Sequence, residues 1–100
     1  MQFDWDESKN RINRVKHGID FAFARLAFDD PFAITIQDRD VEGEQRYQLL
    51  GAVYTRVILV AHAAATTVSG EGEETIRIIS ARKATSLERK RYEENYPAEN

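Results

Sequence analysis

One hundred residues, 42% hydrophobic and 10% aromatic, suffice to bury one core, so the chain is expected to fold as a single domain over residues 1–100, unlike a disordered polar chain. The absence of cysteine excludes a disulfide framework, a thiolate nucleophile and a cysteine zinc site. The net charge of -3 conceals two basic segments: residues 9–17 carry Lys9, Arg11, Arg14 and Lys16 with no acid, and residues 76–92 carry six Lys or Arg against Glu88 alone, while residues 18–75 hold four Arg against ten acids. Such asymmetry lets a chain that is acidic as a whole bind a polyanion locally.

At the amino terminus, MQFDWDES has no signal-peptide pattern, and the longest apolar run, residues 57–65, is too short to span a bilayer; a cytoplasmic protein without membrane contact is expected. In WDESKNRINRVKHGI the apolar Trp5, Ile12, Val15 and Ile19 recur at helical spacing, Asp6 can cap the start, and Gly18 can end the helix in a left-handed conformation. Asp20 can cap a second, buried helix bearing Phe21, Phe23, Ala24, Ala27 and Phe28, which Asp29-Asp30-Pro31 stops. Four β-rich runs follow, FAITIQ, RYQLLGA, RVILVAHA and ETIRIISA, with a Gly/Glu loop at residues 70–74 before the last. Their connections are too short for crossover helices, so an antiparallel meander is expected. Thr85 and Glu88 form a capping box opening a final helix through LERKRYEENY. The predicted fold class is α+β: two N-terminal helices, a four-stranded antiparallel sheet and a C-terminal helix, with QFDW as a possible short extra strand.

Strand alternation places Arg77, Ile79 and Ala81 on one face and Ile78, Ser80 and Arg82 on the other. A mid-strand arginine needs a partner, so Arg77 either pairs with an acid such as Glu44 or lines a face open to an anion. Neither histidine has metal-ligand spacing: His62 lies on an apolar strand, where a hydrogen-bonded core histidine is the common case, and His17 at a helix end can be a favourable cation. Tyr92 suits packing. No Gly-rich phosphate loop or serine elbow is present. Taken together, Lys16, His17, Glu44, His62, Arg77, Arg82 and Tyr92 match the needs of RNA cleavage without a metal or other cofactor: a base for the 2′-hydroxyl, an acid for the departing 5′-oxygen and cations for the charge on phosphorus. The plain reading is that all are structural or surface residues.

The ordered set Trp5-Asp6, Lys16-His17-Gly18-Ile19, Phe28-Asp29-Asp30-Pro31, Asp38, Gly43-Glu44, Arg46, Gly51, His62, Arg77 through Ala84, Glu88-Arg89 and Tyr92-Glu93 resembles the BrnT family of type II toxins. The resemblance implies a RelE-like fold and an endoribonuclease that inhibits translation. It also implies neutralisation by a BrnA-like ribbon-helix-helix antitoxin, through which the toxin meets DNA only indirectly. It points to His62, Arg77, Arg82, Tyr92 and Glu44 as catalytic and to Lys16, His17, Arg14, Lys83 and Arg89 as RNA-binding. One position departs from the family pattern: the histidine strand usually continues Thr-x-Arg, and here Ala65 stands where a cation is expected. The alternative function is a homologue without catalysis that serves as the antitoxin's partner in an autorepressor complex.

Overall fold

In the computed structural model, which describes residues 1–65 and 74–96, the elements run β1 (Gln2–Asp4), α1 (Glu7–His17), α2 (Phe21–Ala24), a 3-10 turn (Arg25–Asp29), β2 (Ile34–Val41), β3 (Glu44–Val53), β4 (Arg56–Ala65), β5 (Thr75–Lys83) and α3 (Ser86–Glu94). The loop expected at residues 70–74 lies, apart from Glu74, outside the described residues.

Strands β2 to β5 form the expected meander, but the sheet has five strands in the order β1-β5-β4-β3-β2, and β1 joins β5 in parallel. The four-stranded antiparallel expectation is corrected by these three residues, which shield the first third of the β5 edge from pairing with another chain. The second N-terminal helix is also shorter than expected. Asp20 caps a single α-helical turn, and the chain then tightens into the 3-10 turn, which ends where Asp30 turns extended ahead of Pro31.

Helix α1 begins at the Asp6 cap and ends at Gly18 in the left-handed conformation, φ 70°. Its buried face, however, is not apolar: Ile12 and Val15 are 65% and 86% exposed, and Asn10 and Asn13 are the buried residues. Asn13 donates to the carbonyls of Ile19 and Ala81 and accepts from the Ala81 amide, so its side chain stands in for a strand along the β5 edge beyond β1. Asn10 accepts from the Phe21 amide and fixes the turn into α2. Helical periodicity alone misassigned this face, because a helix beside a sheet edge must satisfy unpaired backbone groups before it buries apolar surface.

The sheet has two packed faces. On the first, Leu49, Val53, Ile58, Val60, Ile78 and Ala81 meet Ile19, Phe21, Ala24 and Ala27. Close packing here needs Gly51, where a Cβ would sit 2.9 Å from the Ala27 carbonyl oxygen. On the second, α3 lays Tyr92 against Leu50, Val57 and Leu59, joined by Phe32, Ile34, Ala52 and Ala84. The capping box of Thr85 and Glu88 is formed as expected.

Candidate functional site

A bulge in β5 decides which residues share a face. His62 pairs with Ile78, while its neighbour Ala61 pairs with Ser80, so one step along β4 matches two along β5 and Ile79 is the extra residue. Side chains of paired residues lie on the same side of a sheet. Arg77 opposite Ala63 and Arg82 opposite Leu59 therefore both belong to the α3 face. Strict alternation had put them on opposite faces; the bulge reverses the parity after Ile79 and corrects that expectation.

On this face three cross-strand rows follow from the register: Arg46–Ala63–Arg77, Gln48–Ala61–Ser80 and Leu50–Leu59–Arg82. Helix α3 packs on the last row. In the first, two arginines flank an alanine, their backbones about two strand spacings, roughly 10 Å, apart. Glu44 stands two residues before Arg46 on the same face of β3, directly after the Glu42-Gly43 turn with both φ angles positive. One oxygen of its carboxylate accepts from Arg77 Nη2 and lies 3.6 Å from Arg46 Nε. The three side chains are half-buried, 30% to 38% exposed, and Arg46 Nε is buried without a hydrogen-bond partner among the described residues. One carboxylate oxygen thus sits between two guanidinium groups, where an oxygen of a bound phosphate would also be stabilised. Arg46 was not among the site residues expected from sequence. Its signal was the two-residue spacing from Glu44 in a strand.

Arg82 is held differently. Its guanidinium forms a two-pronged bond to Glu88, at 2.8 and 3.0 Å, and Glu88 also accepts the Thr85 amide. The Arg82 bond, chiefly, holds the Glu88 carboxyl down at about 2. The pair ties the first turn of α3 to β5. Tyr92 is buried, 3% exposed, and its hydroxyl donates to Asp30 Oδ2 at 2.5 Å. Burial and that bond push the phenol well above its ordinary value, so the group stays a neutral donor. Asp30 also accepts from the amides of Phe32 and Ala52; burial disfavours its charge, but these three donors together lower its carboxyl below the usual value. Asp30, read from sequence only as a helix stop, joins α3, β3 and the segment entering β2.

His62 is not part of this arrangement. It projects to the first face, 7% exposed, stacked on Tyr47 and edge-on to Phe28, with Nδ1 3.2 Å from the Val60 carbonyl. Burial lowers its pKa, and neither the Val60 contact nor the charge of Glu74 restores it. The sheet itself separates His62 from Glu44, Arg77, Arg82 and Tyr92.

The expected RNA-binding cations also divide. Arg14 is paired with Asp20 at 2.9 Å. Lys16 lines a recess between α1 and the bulge with Lys9, Ile12, Asn13, His17, Ile79 and Ser80, beside the α3 face. His17 lines a second recess at the far end of the sheet, with Lys83 and Arg89. Among the described residues no group of three or more His, Asp or Glu is arranged to hold a metal ion, and no helix is long and apolar enough to cross a membrane.

No curated protein shows a significant match to the chain. A family model does, over residues 5–88: the ribonuclease toxin, BrnT, of type II toxin-antitoxin systems. The matched range runs from Trp5, just after β1, through the first turn of α3, and takes in Glu44, Arg46, Arg77, Arg82 and Glu88. With 84 of its 100 positions matched, from 5 through 88, the chain belongs to the BrnT family of type II toxin-antitoxin ribonuclease toxins.

Proposed function

We propose that the chain is a metal-independent endoribonuclease whose cleavage of RNA inhibits translation, and that its site is the half of the α3 face left open beside the helix. The observation that supports this most is the Glu44 carboxylate held between Arg46 and Arg77. In the reaction Glu44 takes the proton of the 2′-hydroxyl, whose oxygen attacks the adjacent phosphorus; the bond from phosphorus to the 5′-oxygen breaks, the departing oxygen takes a proton from water to leave a 5′-hydroxyl and a 2′,3′-cyclic phosphate, and the arginines hold the charge that builds on the phosphoryl oxygens. RNA must first displace the Glu44–Arg77 pair, as a phosphate competes with a carboxylate for the same planar donors. Arg82 and Tyr92 contribute by fixing α3 at the border of the site, and Lys16 by attracting the strand. Toxin-antitoxin membership implies an antitoxin; we infer a ribbon-helix-helix protein of the BrnA kind, which brings the complex to DNA.

Three observations favour a second reading, a partner-binding homologue without catalysis: Arg82 is saturated by Glu88, Tyr92 by Asp30, and His62 faces away. The deciding experiment incubates the purified chain with single-stranded RNA in the presence of a chelator. The first reading expects fragments ending in 2′,3′-cyclic phosphate and 5′-hydroxyl, greatly reduced by Glu44→Gln. Folded wild-type protein that leaves the RNA intact, and whose expression leaves growth unchanged, supports the second.

A further inference from the structure

The recess at the far end of the sheet is lined by His17, Arg56, Lys83 and Arg89 over a floor that includes Ile19, Val57 and Ile58. These cations come from four separate elements: the last residue of α1, the first of β4, the last of β5 and the fourth of α3. The fold, not a run of sequence, brings them together. The β5 bulge is again decisive: by reversing the parity beyond Ile79 it puts Lys83, paired with Ile58, on the opposite side of the sheet from Arg77, which simple alternation would have placed on the same side. Among the described residues no acid lines the recess and no ion pair involves Arg56, Lys83 or Arg89. Arg56 is steadied instead by the Phe23 ring, 5.6 Å from its guanidinium carbon. Arg56, Lys83 and Arg89 are exposed and, with exposed His17, surround the buried Val57, Ile58 and Ile19, so three permanent positive charges converge where their summed field draws an anion from solvent.

We propose that this recess is a phosphate-binding site, and that its occupant is a backbone phosphate of single-stranded RNA. From Arg77 to Lys83 the strand advances roughly 20 Å at about 3.3 Å per residue. The recess therefore engages a phosphate several nucleotides from the Glu44–Arg77 pair and gives the enzyme a second grip on its substrate. RNA as the source of the phosphate rests on the ribonuclease reading; the site itself rests on the convergence of charges.

The test uses binding, so that absence of cleavage does not bear on it. A single-stranded RNA made uncleavable by 2′-deoxy substitution is titrated into the full-length chain at several salt concentrations. Arg56→Gln and, separately, Lys83→Gln are expected to weaken binding by roughly three- to ten-fold at low salt and to reduce the slope of log K against log salt by about 0.7 each. Lys90→Gln, which removes one charge from exposed α3, is expected to change affinity less than two-fold at about 0.15 M salt. Melting curves establish that each variant is folded, and Lys83→Gln keeps the test decisive if Arg56→Gln disturbs the Phe23 contact. In a parallel arm, inorganic phosphate is expected to raise the wild-type melting temperature more than chloride at equal ionic strength and to compete with RNA. Equal losses from all three variants overturn the proposal in favour of a diffuse basic surface. Phosphate that stabilises the protein without competing with RNA overturns RNA as the source. Variants that bind RNA normally but lose the antitoxin assign the recess to a protein partner instead.

Discussion

Replacing Tyr92 by Phe separates a structural from a chemical role for the hydroxyl. The change removes one oxygen from a buried ring and deprives Asp30 of one of its three donors. A hydrogen bond to a charged group is worth about 1.5–3 kcal/mol, and because the amides of Phe32 and Ala52 remain, the lower part of that range, about 1.5–2 kcal/mol, applies. For a chain of this size the melting temperature should fall by roughly 6–16 °C at neutral pH. The pH dependence follows from both partners. Asp30 has a folded value below 3.8, so its contribution is present above 3.8 and fades as pH falls through the folded value. Tyr92 has a folded value above 10.0, so its contribution is complete below about pH 10 and is lost as pH rises toward the folded value. The wild type and Tyr92→Phe should therefore differ most between about pH 4 and pH 10 and converge outside it. Thermal melts across this range, with cleavage measured per folded molecule, provide the assay. A variant that melts within about 2 °C of wild type at pH 7 yet has lost cleavage refutes the structural assignment and returns the hydroxyl to the chemistry.

Other outcomes follow from the same geometry. Arg77→Lys keeps the charge but loses the planar donor beside Glu44, and cleavage should drop about 10- to 1,000-fold with the melting temperature little changed; a small loss equal to that of Lys90→Gln would reduce Arg77 to general attraction. His62 is buried with a pKa below 6.5, so the unfolded chain takes up its proton at higher pH than the folded one, and stability should fall as pH drops through and below 6.5. His62→Gln should flatten that part of the stability profile, and, because the sheet separates His62 from Glu44, leave cleavage per folded molecule near wild type. Gly51→Ala forces a Cβ to within 2.9 Å of the Ala27 carbonyl oxygen and should cost about 1–3 kcal/mol, read in denaturant titrations as a lower midpoint with unchanged slope. Co-expression with the neighbouring antitoxin should yield a stable complex by co-purification; a chain that stays unbound argues against the antitoxin assignment.

Local chemistry was legible in the sequence because it acts over a few residues. The Asp6, Asp20 and Thr85 caps, Gly18 at the helix end, the stop at Pro31 and the order of β2 to β5 all depend on contacts within one turn or on side-chain period, and all are present. Arg77 with Glu44 was also within reach, since a half-buried arginine demands an acid. What alternation cannot register is a single extra residue. The bulge at Ile79 is set by how β5 must pair with β4 while Asn13 holds Ala81 from the other side, and it alone turns Arg82 toward Arg77 and Lys83 toward Arg56. The same limit hid the roles of Asn10 and Asn13, whose partners are backbone groups 11 and 68 positions away. The sequence by itself determined the family, the helix caps and the strand meander, because these are written in neighbouring residues. Tertiary structure decided which charges face one another, because a sheet sums its register across strands and one inserted residue reverses the side of everything beyond it.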